Sequence, residues 1–225
     1  SLFREYVKQL VDYNKQFLII GNMNAITYKE IFPKIKENKM WLGPTISSGD
    51  REFQVPDSYP ITAAGWRVDD EGRIFLRINS VRWFTNLDHG RRHQPLPLMP
   101  MDENLRFSKH KNIIGKKKYD EYDNYDAIEV PFTDAIPSDY DGVMGVPISF
   151  LDKYNPDQFE IMGTSDNGLV DDALKKTPGL TKQFVDDYYE AGGTGAYKEG
   201  NPTAGYYNNG VATMAYKRLF IRHRK

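Results

Sequence analysis

The chain begins with a helix-period stripe that runs directly into an uninterrupted apolar tetrad. Leu2, Phe3, Tyr6, Val7, Leu10 and Val11 recur at three- and four-residue spacing, the period of an amphipathic helix. Phe17-Leu18-Ile19-Ile20 follows and stops at Gly21-Asn22-Met23-Asn24. A short, continuous apolar run of this kind predicts a strand covered on both faces. A helix feeding such a strand is half of a parallel-sheet unit, so a strand is expected ahead of the helix. In open α/β sheets the ligand crevice lies at the carboxyl ends of the strands. Part of that crevice is therefore expected upstream of Ser1.

Further along, Thr27-Tyr28-Lys29-Glu30 has the form of a capping box, with Ile26 and Ile31 spaced as a hydrophobic staple. Pro33 should disturb the helix that follows. Met40-Trp41-Leu42-Gly43 reads as the next strand, and residues 43–50 as a Gly/Ser/Pro-rich connection. From there the pattern turns to β. Strands are expected over 52–56, 73–78 and 81–87, with Asn79-Ser80 turning one into the next. Residues 89–118 are basic, proline-punctuated and read as irregular. Strands are expected again over 125–131, 142–150 and 158–162, a helix over 181–189, and a β-like run over 214–224. Residues 163–210 are otherwise poor in aliphatic side chains, as long functional or mobile segments are.

The 225 residues suffice for a real core in one domain or two small ones. Cysteine is absent. This excludes disulfide frameworks and thiolate chemistry and fits a reducing cytoplasm. No apolar run has the length of a membrane span. The net charge of -1 names no partner, but its distribution does more. Residues 82–118 carry nine basic against three acidic side chains, whereas 119–199 are strongly acidic. A basic stretch holding His89, His93 and His110 can track phosphates; the alternative is a solvated loop.

Asn22 and Asn24, just past the first strand, have the donors and acceptors to hold a ligand, or serve simple turn chemistry. Trp83-Phe84-Thr85-Asn86-Leu87-Asp88-His89 sets aromatics, an amide and an imidazole at a strand end. It reads as a cleft-lining element or as a core pair with a polar turn. Gly192-Gly193-Thr194-Gly195 opens no helix after a strand and is no phosphate loop. The Asp-rich stretch 120–126 lacks calcium-loop spacing, and the histidines form no helical metal pair, so no metal site is expected.

Several stretches together resemble one family: Lys15-Gln16-Phe17-Leu18-Ile19-Ile20-Gly21-Asn22, Ala25-Ile26-Thr27-Tyr28-Lys29-Glu30-Ile31-Phe32, Trp83 through His89, Tyr122-Asp123-Asn124-Tyr125-Asp126-Ala127-Ile128-Glu129-Val130, the long run from Asp139 to Pro156, and Arg218-Leu219-Phe220-Ile221-Arg222. Their order and length resemble the EcoRI-type adenine-specific DNA methyltransferases, over nearly the whole chain. The resemblance implies the C-terminal part of a Rossmann-like methyltransferase sheet over 1–89, and a β-rich α+β DNA-recognition region over 90–225. It implies methyl transfer from S-adenosylmethionine to adenine N6 in duplex DNA, as in restriction-modification systems. Family members carry Asn-Pro-Pro-Phe just before the segment that Ser1-Leu2-Phe3-Arg4-Glu5-Tyr6 resembles, and a cofactor loop further upstream. Neither is in this sequence; Asn155-Pro156-Asp157 and Asn201-Pro202-Thr203 lack the following aromatic.

The catalytic motif and most of the cofactor pocket are thus expected in a missing N-terminal half, and the chain alone is expected to be inactive. Asn22, Asn24, Trp83, Asn86 and His89 are the expected cleft rim. Arg91, Arg92, His93, Lys109, Lys111, Lys116, Lys117 and Lys118 are the expected phosphate contacts. Two rivals stand beside this reading: a non-catalytic DNA-binding module or decayed methylase, and a protein-interaction domain without nucleic acid.

Overall fold

A computed structural model describes residues 2–46, 51–61 and 65–225; the second half of the Gly/Ser/Pro-rich stretch 43–50 lies outside them. The chain divides into two compact units, Ser1–His89 and Gly90–Lys225.

Unit 1 opens with α1 (Leu2–Asp12) and β1 (Leu18–Asn22). Val7 of the helical stripe is fully buried, and Phe3 meets Phe84 edge-on with ring centroids 5.3 Å apart. The strand expected to be covered on both faces is not what forms. β1 pairs antiparallel with β6 (Val81–Thr85), in register from Leu18 opposite Thr85 to Asn22 opposite Val81. Leu18 and Ile20 remain 53% and 45% exposed. An apolar run does not itself distinguish a strand covered on both faces from one covered on a single face. β2 (Trp41–Leu42) pairs with the other side of β6, also antiparallel, giving the order β1-β6-β2. Two strands antiparallel to a common neighbour run parallel to each other. β1 and β2 therefore point the same way, with β6 inserted between them.

The expected capping box does not form either. Residues Met23–Thr27 make a 3-10 helix capped by Asn22, and Thr27 is buried within it, its hydroxyl donating to the Asn24 carbonyl at 3.2 Å. Glu30 faces Arg4 instead, at 3.6 Å. Pro33 disturbs nothing, because it lies in the first turn of α2 (Phe32–Lys36), where a missing N–H costs no hydrogen bond. Ile26, Ile31, Phe32 and Ile35 are all buried. A second sheet, β3 (Arg51–Val55), β5 (Ile74–Ile78) and β4 (Trp66–Val68), has the order β3-β5-β4 and is antiparallel throughout. Asn79-Ser80 links β5 to β6, but those strands belong to different sheets.

Unit 2 is built on the sheet β7-β8-β12-β9, from β7 (Ile128–Glu129), β8 (Met144–Pro147), β9 (Phe159–Thr164) and β12 (Arg218–His223). Only β7 and β8 pair in parallel. Leu219, Phe220 and Ile221 of β12 are all buried, so this central strand is covered on both faces. Gly145 permits this packing, since a Cβ there would collide with the buried Tyr122 ring. Two α-helices accompany the sheet: α3 (Met101–Phe107), ahead of it in sequence and within the segment read as irregular, and α4 (Lys182–Glu190), between β9 and β12. Thr181 caps α4, accepting from the Phe184 amide at 3.2 Å. Leu180, Phe184, Val185 and Ala212 form a small core beneath the hairpin β10 (Gly205–Asn208) and β11 (Val211–Met214).

Candidate nucleic-acid interface

The register of β1 on β6 separates the residues expected to share one cleft rim. Asn22 ends β1 opposite Val81, whereas Asn86 and His89 follow Thr85, which lies opposite Leu18. Four residue steps along a strand span about 14 Å. Asn22 spends its side-chain oxygen on the Asn24 amide at 2.9 Å, which is turn chemistry. Asn86 is a clip: its side-chain oxygen accepts from the Phe17 amide and its NH2 donates to the Lys15 carbonyl, both at 2.9 Å. Trp83 is half-buried, and a Cβ at Gly43 would stand 2.7 Å from its own. His89 donates from Nε2 to the Leu42 carbonyl at 3.0 Å, leaving Nδ1 as a buried acceptor without a hydrogen-bond partner among the described residues. Trp41 adds a bond from Nε1 to the Leu87 carbonyl at 2.9 Å. The 85–89 turn thus anchors the start of β1 and the end of β2.

Unit 2 sorts the expected phosphate contacts into three kinds. Arg91, Arg92 and His93 sit on a 3-10 turn (Gly90–His93), where His93 Nδ1 meets Asp157 at 3.0 Å. Lys109 and His110 both engage Asp134, each at 2.7 Å. Burial would raise the Asp134 pKa, but hydrogen bonds from those two residues hold it below the ordinary aspartate value. The His110 ring also stacks on Phe132, with centroids 3.7 Å apart. Lys116 is largely buried, paired with Asp120 and donating to Asn208 at 2.9 Å. Lys118 pairs with Glu121 at 2.8 Å. Lys111 and Lys117 are exposed and carry no ion pair among the described residues.

Sequence reading did not single out Arg106, which belongs with the outward cations. Its guanidinium only grazes Asp102 at 4.0 Å, and both side chains are exposed. The loop after α3 folds back, with the Gly115 amide donating to the Leu105 carbonyl at 2.9 Å. Arg106, Ile114 and Lys117 thereby line one shallow groove of about 500 Å3. Also unforeseen is a charged cluster inside the unit 2 core. Glu129 takes Arg218 in a forked pair, with Nη2 at 2.6 Å from Oε1 and Nε at 3.0 Å from Oε2, and also accepts from the Tyr122 hydroxyl. Burial alone would lower the Arg218 pKa, but the hydrogen bond and charge of Glu129 raise it above the ordinary value.

A family model described as "Adenine-specific methyltransferase EcoRI" matches residues 1–224. The chain belongs to this family. The Escherichia coli "Type II methyltransferase M.EcoRI" is 49% identical over 162 residues, covering 72% of this chain and 47% of that protein. "Type II methyltransferase M.MgeORF184P" of Mycoplasma genitalium is 34% identical over 201 residues, 88% of this chain and 59% of its own length. "Type II methyltransferase M.MpnI" of Mycoplasma pneumoniae is 35% identical over 164 residues, 72% of this chain and 48% of its own. The chain thus spans about half the length of these curated relatives. No solved structure matches it. Among the described residues no helix is long and apolar enough to cross a membrane.

In this EcoRI-type chain, two of the stretches that carry the resemblance are largely scaffold. Tyr122, Tyr125, Ile128, Glu129 and Val130 are buried, as are most of the residues from Met144 to Leu151. The residues at the carboxyl end of β1 do not by themselves fit S-adenosylmethionine. The Asn22 side-chain oxygen is already engaged, and Ile20, two residues before it on the strand, is exposed.

Proposed function

We propose that this chain is the C-terminal portion of an S-adenosylmethionine-dependent DNA adenine-N6 methyltransferase of restriction-modification type. The family match across residues 1–224 carries the reading. Its partner in the same enzyme is an upstream portion bearing the Asn-Pro-Pro-Phe motif and the cofactor loop. Unit 1 would be the C-terminal part of a Rossmann-like sheet. Two features support this. β1 and β2 run parallel to each other, and among the described residues β1 pairs only with β6. Leu18 and Ile20 leave an apolar surface beside that open edge. A free, flat, apolar edge is a liability that proteins normally cover.

The target adenine is out of reach inside a duplex and must be flipped into a pocket. Unit 2 would hold the duplex while the upstream portion binds the flipped base. Lys111 and Lys117, exposed and without an ion pair among the described residues, are the favoured phosphate contacts. Arg91 and Arg92 join them from the same basic segment, and His93, Lys109 and Lys118 would exchange exposed carboxylates for phosphates. Lys116, clamped between Asp120 and Asn208, serves the fold first. Such work belongs in the cytoplasm, where the DNA is.

The test is transfer of a labelled methyl group from S-adenosylmethionine to duplex DNA. The chain alone should transfer none, whereas the chain joined to the upstream half of its Escherichia coli relative should label adenine N6. Label on cytosine, or none in a folded and DNA-bound fusion, would overturn the reading.

A further inference from the structure

Phe107 is the last residue of α3, and it is 70% exposed. Its neighbours make this unusual. Residues 101–118 hold six lysines and arginines against two acidic side chains. Lys111 and Lys117 have no carboxylate partner among the described residues, and Arg106 has only the long contact to Asp102. The groove beside α3 places Arg106, Lys117 and the 45%-exposed Ile114 together. The Ser108 amide closes the helix by donating to the Asn104 carbonyl at 3.1 Å, and Ser108 itself is buried. The backbone that carries Phe107 outward is therefore fixed. An aromatic ring held among cations matches the two faces of nucleic acid, phosphate and base.

We infer that Phe107 stacks on a nucleobase of bound DNA while Arg106, Lys111 and Lys117 hold the flanking phosphates. The inference rests on the DNA reading above and adds to it a residue that touches the base stack. An intact duplex resists an inserted ring, because neighbouring bases must first unstack. A duplex with one abasic position has already met that cost. Wild-type protein should therefore prefer it.

Fluorescence anisotropy with two labelled mixed-sequence duplexes, one intact and one with a single abasic site, tests this at two salt concentrations. The wild-type chain should bind both, the abasic one more tightly. Phe107→Ala should weaken binding to the abasic duplex by about five- to a hundredfold and abolish the preference, leaving the salt slope unchanged. Because Phe107 is exposed, this variant should fold normally. The triple variant Arg106→Gln, Lys111→Gln, Lys117→Gln should lower the salt slope by about two to three and keep the preference for the abasic duplex. If Phe107→Ala binds both duplexes as the wild type does, the inference is overturned while the DNA reading stands. If the wild-type chain binds neither duplex at low salt, both fall. Loss of self-association in Phe107→Ala with unchanged DNA binding would assign the ring to a protein contact instead.

Discussion

Glu129 and Arg218 lie 89 positions apart and meet inside unit 2, with Tyr122 on the same carboxylate. Each charge is tolerable there only because of the other. Removing one partner of a buried pair leaves the other uncompensated and costs about 3–5 kcal/mol. Glu129→Gln should therefore lower the melting temperature by about 10 °C, read by circular dichroism; a shift within error would mean that water reaches the cluster. The tyrosines add a pH dependence. Burial pushes the Tyr125 and Tyr206 hydroxyls up to about 12. The native state then keeps protons that the unfolded chain releases near pH 10, so the contribution is complete below that value. It is lost as pH rises through the folded values. Urea midpoints should fall between about pH 10 and about pH 12, in step with tyrosinate absorbance. At this scale the sequence made charge visible but not pairing. Lys116 and Lys117 are adjacent and chemically identical, yet one is buried against Asp120 and the other faces water. The Asp120 contact is a matter of local folding, and the Asn208 contact joins residues 92 positions apart.

Single elements were legible where a local rule decides them. The helix expected at 181–189 forms as Lys182–Glu190 because Thr181 caps it and Phe184 and Val185 face the core. The first strand and the turn of the hairpin β10–β11 lay in the stretch 163–210 read as weakly structured, although the turn's signal was present. Asn209 and Gly210, both at positive φ (50° and 82°), form the two-residue turn that Asn-Gly favours. Few aliphatic residues flank that turn, and their scarcity hid it. Gly210→Ala should cost about 1 kcal/mol, measured by urea unfolding. No cost would mean that the turn relaxes to another type. α3 was missed for a different reason: proline-rich flanks suggested a loop, yet Pro100 precedes the helix and Asp102 and Glu103 occupy its favourable first turn. Thr27 erred in the opposite direction. Its spacing to Glu30 fits a cap, but Asn22 had already taken that role five residues earlier.

At the scale of the molecule, alternation and apolar runs located most strands of both units. Strand direction was not readable, because β6 comes from some 40 residues beyond β2 to lie between β2 and β1. Ile20→Lys should leave the melting curve of this chain almost unchanged, since the side chain is already half in water. It should sharply reduce methyl transfer once the upstream half is joined, if that edge is where the halves meet. Equal activity of the two fusions would put the junction elsewhere. The insertion of β6 also has a consequence for synthesis. When β2 has left the ribosome, neither it nor β1 has its sheet neighbour, and roughly forty more residues must be polymerised before Thr85 arrives. At about 5–20 residues per second, a newborn chain carries two half-made edges for several seconds. A polypeptide arrested in that interval is the form in which this fold is most open to aggregation and to capture by chaperones.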